Sequence, residues 1–462
     1  MSQENKVKTS RPFGLRDKLG YMIGNIGNDL TFFLASNYFM VFYTNVMGVS
    51  PATVGTLFGI ARLVDAFTDV GMGVIVDNAM TTRVGKFKPW LRRMAFPVGI
   101  ASALMYNSFI VDWSPTAKVI YMFITYLLWG SIFYTSINIP YGSLASVVSG
   151  KAEDRANLST FRSIGSTLIQ FSLGFVVPLI AYSADGKVLA TNFTWLAIAL
   201  GLAAAVCYLL CYGMVEERVE LPQGDKFSAK AMLTDILELI QDRGFLGLMF
   251  STMFMLAGLI SLGQLLQYTY LDFFQNTRIL PIATAGMTLS ALVVAPFVST
   301  ITKKFGKKEA GSFALIGAGA IYLIAFVLKI QSPLVFAILV IVAGIVMGYY
   351  MMAMYAFVTD VIDDFYVKRG TRKDGTIYAV YSFTRKVGQA IAGFLAGALL
   401  TAIGYQSGVE QQTAEVANSI YNVGTLLPGA LLLAAGLILL FMYPLNKQKV
   451  NENTRIIESE NQ

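Results

Sequence analysis

Apolar stretches long enough to cross a ~30 Å hydrocarbon layer recur about twelve times in this chain. They lie near residues 20–45, 52–76, 90–111, 118–146, 160–183, 193–214, 245–274, 281–301, 310–329, 333–358, 376–403 and 419–443. No other feature narrows the fold as far. Inside lipid every backbone N–H and C=O must find a partner within the protein, and a single segment does that only as a helix. Composition agrees: of 462 residues, 55% are hydrophobic and 14% charged, as a polytopic membrane protein requires. The expected fold is therefore all-α, with twelve transmembrane helices.

The formal net charge of +7 points to topology more than to nucleic acid, because the cations alternate by loop. Lys6, Lys8, Arg11, Arg16 and Lys18 precede the first span; Arg83, Lys86, Lys88, Arg92 and Arg93 follow the second; Lys151 and Arg155 follow the fourth. Further clusters are Lys303, Lys304, Lys307 and Lys308, then Lys368, Arg369, Arg372 and Lys373. The intervening loops hold single cations such as Lys118, Lys187, Arg278 and Lys329. This pattern places both termini in the cytoplasm, with no cleavable signal peptide in the polar stretch Met1 to Lys18.

One polar interruption divides the chain. The expected organisation is a cytoplasmic tail at 1–18, a six-helix bundle at 19–215, a cytoplasmic linker at 216–243, a second bundle at 244–444 and a tail at 445–462. Within the linker, Ala229 to Ile240 has the spacing of an amphipathic surface helix, and a plain solvated linker fits equally. Gly85 in RVGKFKPW and Gly306 in KKFGKK are separated by 221 residues, close to half the chain, which suggests duplicated halves of the major facilitator type.

The most informative span is the second. Arg62, Asp65 and Asp69 follow one another at steps of three and four residues, so they share one helix face. A charge near the bilayer midplane costs at least ~2.5 kcal/mol, so these three must face protein, water or an ion. Two readings follow: a coupling-ion or proton site on the paired carboxylates, or a structural ion pair with Arg62. In the first span, Asn25, Asn28 and Asp29 occupy neighbouring turns; Asp29 is the candidate acceptor for sugar hydroxyls, against an interhelical hydrogen bond as the alternative.

Span 4 carries Thr135, Ser136, Asn138 and Pro140, where the proline frees a backbone carbonyl. Arg162 opens span 5, at either the membrane surface or a cavity mouth. Span 11 sets Arg385 beside Lys386, about 100° apart on the helix, so one of them can neutralise Asp29, Asp65 or Asp69 and the other meet an anionic substrate group, or both can snorkel outward. Asp360 and Asp363 at the end of span 10, with Asp77 and Arg83 after span 2, are candidates for gating salt bridges. Cys207 and Cys211 read as buried thiols, without further ligands for a metal. With no His and no Walker-type loop, neither acid–base catalysis nor ATP hydrolysis by the chain is indicated, and it is not expected to be an enzyme.

The stretches GNIGNDLTFF, RLVDAFTDVGMGVIVD, RVGKFKPW, NIPYGSL and YSFTRKVGQAI together resemble the glycoside-pentoside-hexuronide:cation symporter family, from about Leu19 to Pro444. The resemblance implies uptake of a sugar driven by a cation gradient. It makes Asp65 and Asp69 the cation carboxylates with Thr135 as a span 4 ligand, and Asp29, Arg162 and Lys386 members of the sugar and coupling site. Thr68 stands where the melibiose permease has an asparagine that helps select sodium, which favours protons. Asn138 and Gly142 replace an acid and a tryptophan that hold galactosides there, which shifts the expected substrate to a glucuronide or xyloside.

The reading is thus a major facilitator-type symporter of two pseudo-symmetric six-helix halves in a bacterial cytoplasmic membrane, importing a glycoside with H+ or Na+. Substrate-binding residues are Asp29, Asn25, Asn138, Arg162, Arg385 and Lys386; cation-binding residues are Asp65, Asp69, Thr68 and Thr135. No cofactor and no metal beyond Na+ at Asp65 and Asp69 is expected; the partners are sugar, cation and lipid, not nucleic acid, and the unit is a monomer. A major facilitator-type exporter of a non-sugar molecule is the alternative.

Overall fold

The computed structural model describes residues 11–183, 187–219, 238–371 and 374–460. Twelve long helices fill it: α1 (Leu15–Val41), α2 (Pro51–Asn78), α3 (Lys88–Leu104), α4 (Pro115–Val148), α5 (Ala152–Ala181), α6 (Ala190–Met214), α7 (Arg243–Phe273), α8 (Leu280–Phe305), α9 (Lys307–Leu328), α10 (Pro333–Arg369), α11 (Asp374–Ala402) and α12 (Ala414–Phe441). A polar helix, α13 (Lys447–Glu460), follows. Most of the linker, residues 220–237 including most of the expected amphipathic stretch, lies outside the described residues.

Helix starts are written in the sequence. Ser50, Ser114 and Ser332 each precede a proline, and each accepts a hydrogen bond from the third residue of the helix it caps. The hydroxyl satisfies an orphan N–H while proline at the first position has none to lose. Boundaries differ from hydropathy where side chains intervene. The third span stops at Leu104, not 111, because the Asn107 side chain caps a short turn at Ser108–Ile110. The tenth runs on past 358 to Arg369, its charged end still helical, until Gly370 adopts φ +69°.

Eight helices are uniformly apolar enough to span a membrane among the described residues; α1, α2, α3 and α11 fall short. Three of those four carry the charged and amide residues singled out above, so polarity is concentrated and not spread.

The two sets of six pack in corresponding ways. α1 meets α5 and α6 as α7 meets α11 and α12, and α3 lies on α6 as α9 lies on α12. Between the sets, α2 crosses α11 and α5 crosses α8, two contacts that exchange under the same correspondence. Gly85 and Gly306 also correspond: their φ values are +122° and +91°, and each faces a glutamate, Glu217 and Glu309. The Glu217 carboxylate accepts from the amides of Lys86, Phe87 and Lys88 at 2.7–2.8 Å, which fixes the basic loop against the end of α6.

The face opposite the chain termini is sealed between the sets. Ala52 N–H donates to Thr401 at 2.9 Å, Gly408 N–H to the Thr44 carbonyl at 3.0 Å, and Tyr405 hydroxyl to Asn45 at 2.8 Å. A side chain on Gly397 would collide with the carbonyl of Pro51, so α2 and α11 touch there backbone to backbone.

Candidate functional site

Midway along α2, Asp65 forms an ion pair with Arg62 at 2.9 Å and accepts from the Ser131 hydroxyl at 2.5 Å. One turn further, Asp69 accepts from the Thr135 hydroxyl at 2.9 Å and pairs with Lys386 of α11. Both rungs join α2 to α4 at the same sequence offset of 66, so the two helices run parallel in register. α4 has π-helical geometry over Leu128–Tyr134, a widening that turns Ser131 and Thr135 together toward α2. Thr68 is not part of this set: its hydroxyl bonds the carbonyl of Asp65, 3.4 Å away.

A second cluster lies on α1 and α5. Asp29 accepts from Asn25 at 3.0 Å and Ser166 at 2.5 Å, and Gln170 donates to Ser166 at 2.9 Å. Arg162 donates to the Asn25 side chain at 2.9 Å and sits 5.7 Å from the centre of the Tyr141 ring. Tyr141 in turn stacks on Tyr21 at 4.6 Å. Arg162 is thereby held against α1 and α4 while its side chain remains exposed. Asn28 points elsewhere, accepting from Tyr208 at 2.8 Å between α1 and α6, which is a packing bond.

From the second set of helices come Arg385 and Lys386. Arg385 donates to the Tyr355 hydroxyl at 2.8 Å, and its guanidinium lies 5.9 Å from the ring centre; Tyr355 stacks on Tyr378. Asn138 is half-buried, and among the described residues nothing lies within 4 Å of where a Cβ on Gly142 would stand.

The other candidates are apart. Asp360 pairs with Lys307 at 2.5 Å within the α7–α12 set. Arg83 and Asp363 are both engaged, and the Asp77 side chain lies outside the described residues. One cleft of about 610 Å³ between α8, α9 and α10 is lined by Phe297, Phe305 and Phe313, away from these charges.

Sequence reasoning missed Ser131, Ser166, Tyr355 and Tyr378. Their only signal was spacing, since Ser166 stands one turn after Arg162.

The arrangement sets a carboxylate between a neutral hydroxyl donor and a cationic side chain. Asp69 has a hydroxyl on one oxygen and an ammonium on the other, and the ammonium comes from the opposite half. A model of the MFS/sugar transport protein family matches residues 20–447. The chain belongs to that family. The glucuronide carrier protein homolog of Escherichia coli (strain K12) is 30% identical over 442 residues, 95% of this chain and 94% of that one. The uncharacterized symporter YjmB of Bacillus subtilis (strain 168) is 31% identical over 452 residues, 96% and 95% of the two chains. Among solved structures, a D-xylose-proton symporter superposes with TM-score 0.64 at 15% identity, covering 93% of this chain and 97% of that one, which shows the shared fold. This member of the family is accordingly a twelve-helix, multi-pass membrane protein of a sugar-transport family, a transporter rather than an enzyme.

Proposed function

We propose that the chain imports a glycoside of the glucuronide or xyloside type in symport with a proton, by alternating access, across a bacterial cytoplasmic membrane. In this reading both termini are cytoplasmic, 19–215 and 244–444 are the rocking halves, and one chain is the working unit. The carrying observation is the pairing of Asp69 with Lys386 across the two halves beside the Thr135 hydroxyl.

Lys386 competes with any cation for Asp69. A hard metal cation needs a shell of oxygen ligands and no charge of its own sign among them. Here an ammonium already occupies one side of the carboxylate, and the Thr68 hydroxyl donates to the Asp65 carbonyl of its own helix. A proton needs no shell; it neutralises Asp69 and frees Lys386. Breaking that bond uncouples α2 from α11 at mid-span, so loading alters the energy of moving the halves.

The sugar is assigned to the space between the Asp29–Asn25–Arg162 cluster and α11. Asp29 accepts from hydroxyls, as it does from Ser166, and Arg162 and Asn25 supply donors. Tyr355 and Tyr378, about half exposed, offer flat faces. Since the face opposite the termini is sealed, this state opens toward the cytoplasm.

The test is counterflow in proteoliposomes with labelled β-glucuronide, β-xyloside and α-galactoside, with and without sodium at two pH values. Sodium-independent exchange of a glucuronide or xyloside is expected. Exchange only with sodium would overturn proton coupling; no exchange of any glycoside would overturn the function.

A further inference from the structure

The sealed face is polar where a seal has no need to be. Between α2 and α11 the halves meet there as backbone, but between α1 and α7 they meet through amides and phenols. Gln264 donates to the Ser36 carbonyl at a long 3.4 Å, and Gln267 accepts from the hydroxyl of Tyr182, at the end of α5, at 3.0 Å. One turn beyond Gln264, the Tyr268 hydroxyl lies 2.8 Å from that of Thr44. Gln264 and Gln267 are only 4% and 1% exposed.

These contacts leave groups unsatisfied. Gln264 Oε1 and Gln267 Nε2 are buried without a hydrogen-bond partner among the described residues, and so is Oδ2 of Asp272, one turn beyond Tyr268. Each such group weakens closure, because water would satisfy it in an open state and nothing does in the seal. Leucines in place of the two glutamines would close the same gap without that cost. Two amides and a carboxylate kept here therefore call for a role in the state where this face is open. Their spacing gives one. Gln264, Gln267, Tyr268 and Asp272 follow at steps of three and four residues along one face of α7, with the Tyr182 ring beside them. Carboxamides and a carboxylate suit adjacent sugar hydroxyls, and a tyrosine ring suits the C–H face of a pyranose.

We infer that this face of α7 is a second, outer sugar site, exposed when α1 and α7 part, in which Gln264, Gln267 and Asp272 take the hydroxyls of one pyranose ring beside Tyr182 and Tyr268. The inference rests on the glycoside-symport reading and adds to it a stop on the way in, since Ser36 stands about 10 Å along α1 from Asp29. Site and seal are made of the same atoms, so each excludes the other. A sugar held there keeps the halves apart at this face, and the seal closes once that sugar has moved inward to Asp29. Refilling the outer site before closure stalls the cycle.

The experiment is uptake and efflux of labelled methyl β-glucuronide or methyl β-xyloside, whichever is exchanged, in right-side-out membrane vesicles containing the full chain, over a wide range of concentration. A site with one or two hydrogen bonds fewer than the inner one binds about 10- to 100-fold more weakly. Uptake should therefore pass through a maximum and fall by about half once outside sugar exceeds the half-saturating concentration about 100-fold, while efflux into sugar-free medium saturates without a fall. Gln267→Leu should move the fall upward in concentration at least about tenfold. A residue that only packs the seal would shift the half-saturating concentrations of uptake and efflux in opposite directions and leave the fall in place. If Gln267→Leu does not reach the membrane, Gln264→Leu is read by the same curve. Uptake that saturates without a fall in the wild type, a fall that efflux shares, or one unchanged in both variants overturns the inference and leaves glycoside symport standing. Transport of no glycoside overturns both.

Discussion

The first six helices and the last six share a frame but not a chemistry. α1, α2, α4 and α5 supply all three mid-span carboxylates and the hydroxyls that serve them, Ser131, Thr135 and Ser166. α7 to α12 supply two adjacent cations, Arg385 and Lys386, and two tyrosine faces. The difference shows that a duplicated scaffold fixes where a site can be, while the division of charge fixes what must happen for it to be complete. Neither half is satisfied alone: Asp69 reaches across for its ammonium. In the proposed mechanism, contact between the halves depends on what has been loaded.

The sharpest way to break this asymmetry is Asp69→Asn. Accumulation driven by a pH gradient in vesicles should fall more than about 100-fold, since a group that carries the coupling ion is lost, while energy-independent counterflow persists; retained uphill uptake would remove Asp69 from the mechanism. Next in size is the sealed face, where the halves meet as backbone. Gly397→Leu should push α11 off Pro51 at a cost of about 1–3 kcal/mol, shifting the population toward the outward-open state by about 5- to 150-fold. Thiol labelling at a Ser407→Cys reporter should then rise, and unchanged labelling would mean that close approach is not required there.

Smaller effects sharpen the picture within the first half. Thr135→Val removes one hydrogen bond donated to ionised Asp69, about 1 kcal/mol, so the apparent affinity for the coupling proton should rise roughly fivefold. Ser166→Ala should instead raise the half-saturating sugar concentration a few-fold with the ion dependence kept, because it serves Asp29. Identical phenotypes from the two variants would merge sites that the geometry separates. The least effect belongs to Asn453→Ala in α13, which loses a bond to Asp364 at the end of α10. Transport should stay within about twofold of wild type while thermal stability drops slightly; a larger transport loss would give the second half a role beyond its two cations.

Much of this was legible in the sequence because charge in an apolar run is expensive. Arg62, Asp65, Asp69 and the Arg385–Lys386 pair stood out for that reason, and the twelve spans did so by length. The partner of Lys386 was not legible: three acids were open to it, and choosing Asp69 needed the crossing of α2 with α11. Serine and tyrosine are cheap in a span and leave no mark, which hid Ser131, Ser166, Tyr355 and Tyr378. The π-helical stretch of α4 is set by tertiary packing, so its register against α2 appears only in three dimensions. Thr68, chosen by motif position, faces its own backbone.

The proposed proton site at Asp69 and Lys386 also bears on the energy source. If the proposed cargo is a glucuronide, one proton carried with one monovalent anion moves no net charge across the membrane, so the electrical potential neither helps nor hinders the step. Such a carrier is driven by the pH difference alone, at most about tenfold accumulation for each unit. With a neutral sugar the same proton would be worth a further ~2.3 kcal/mol for every 100 mV. With a glucuronide as the cargo, a cell that collapses its pH gradient but keeps its voltage would lose accumulation and keep only downhill entry.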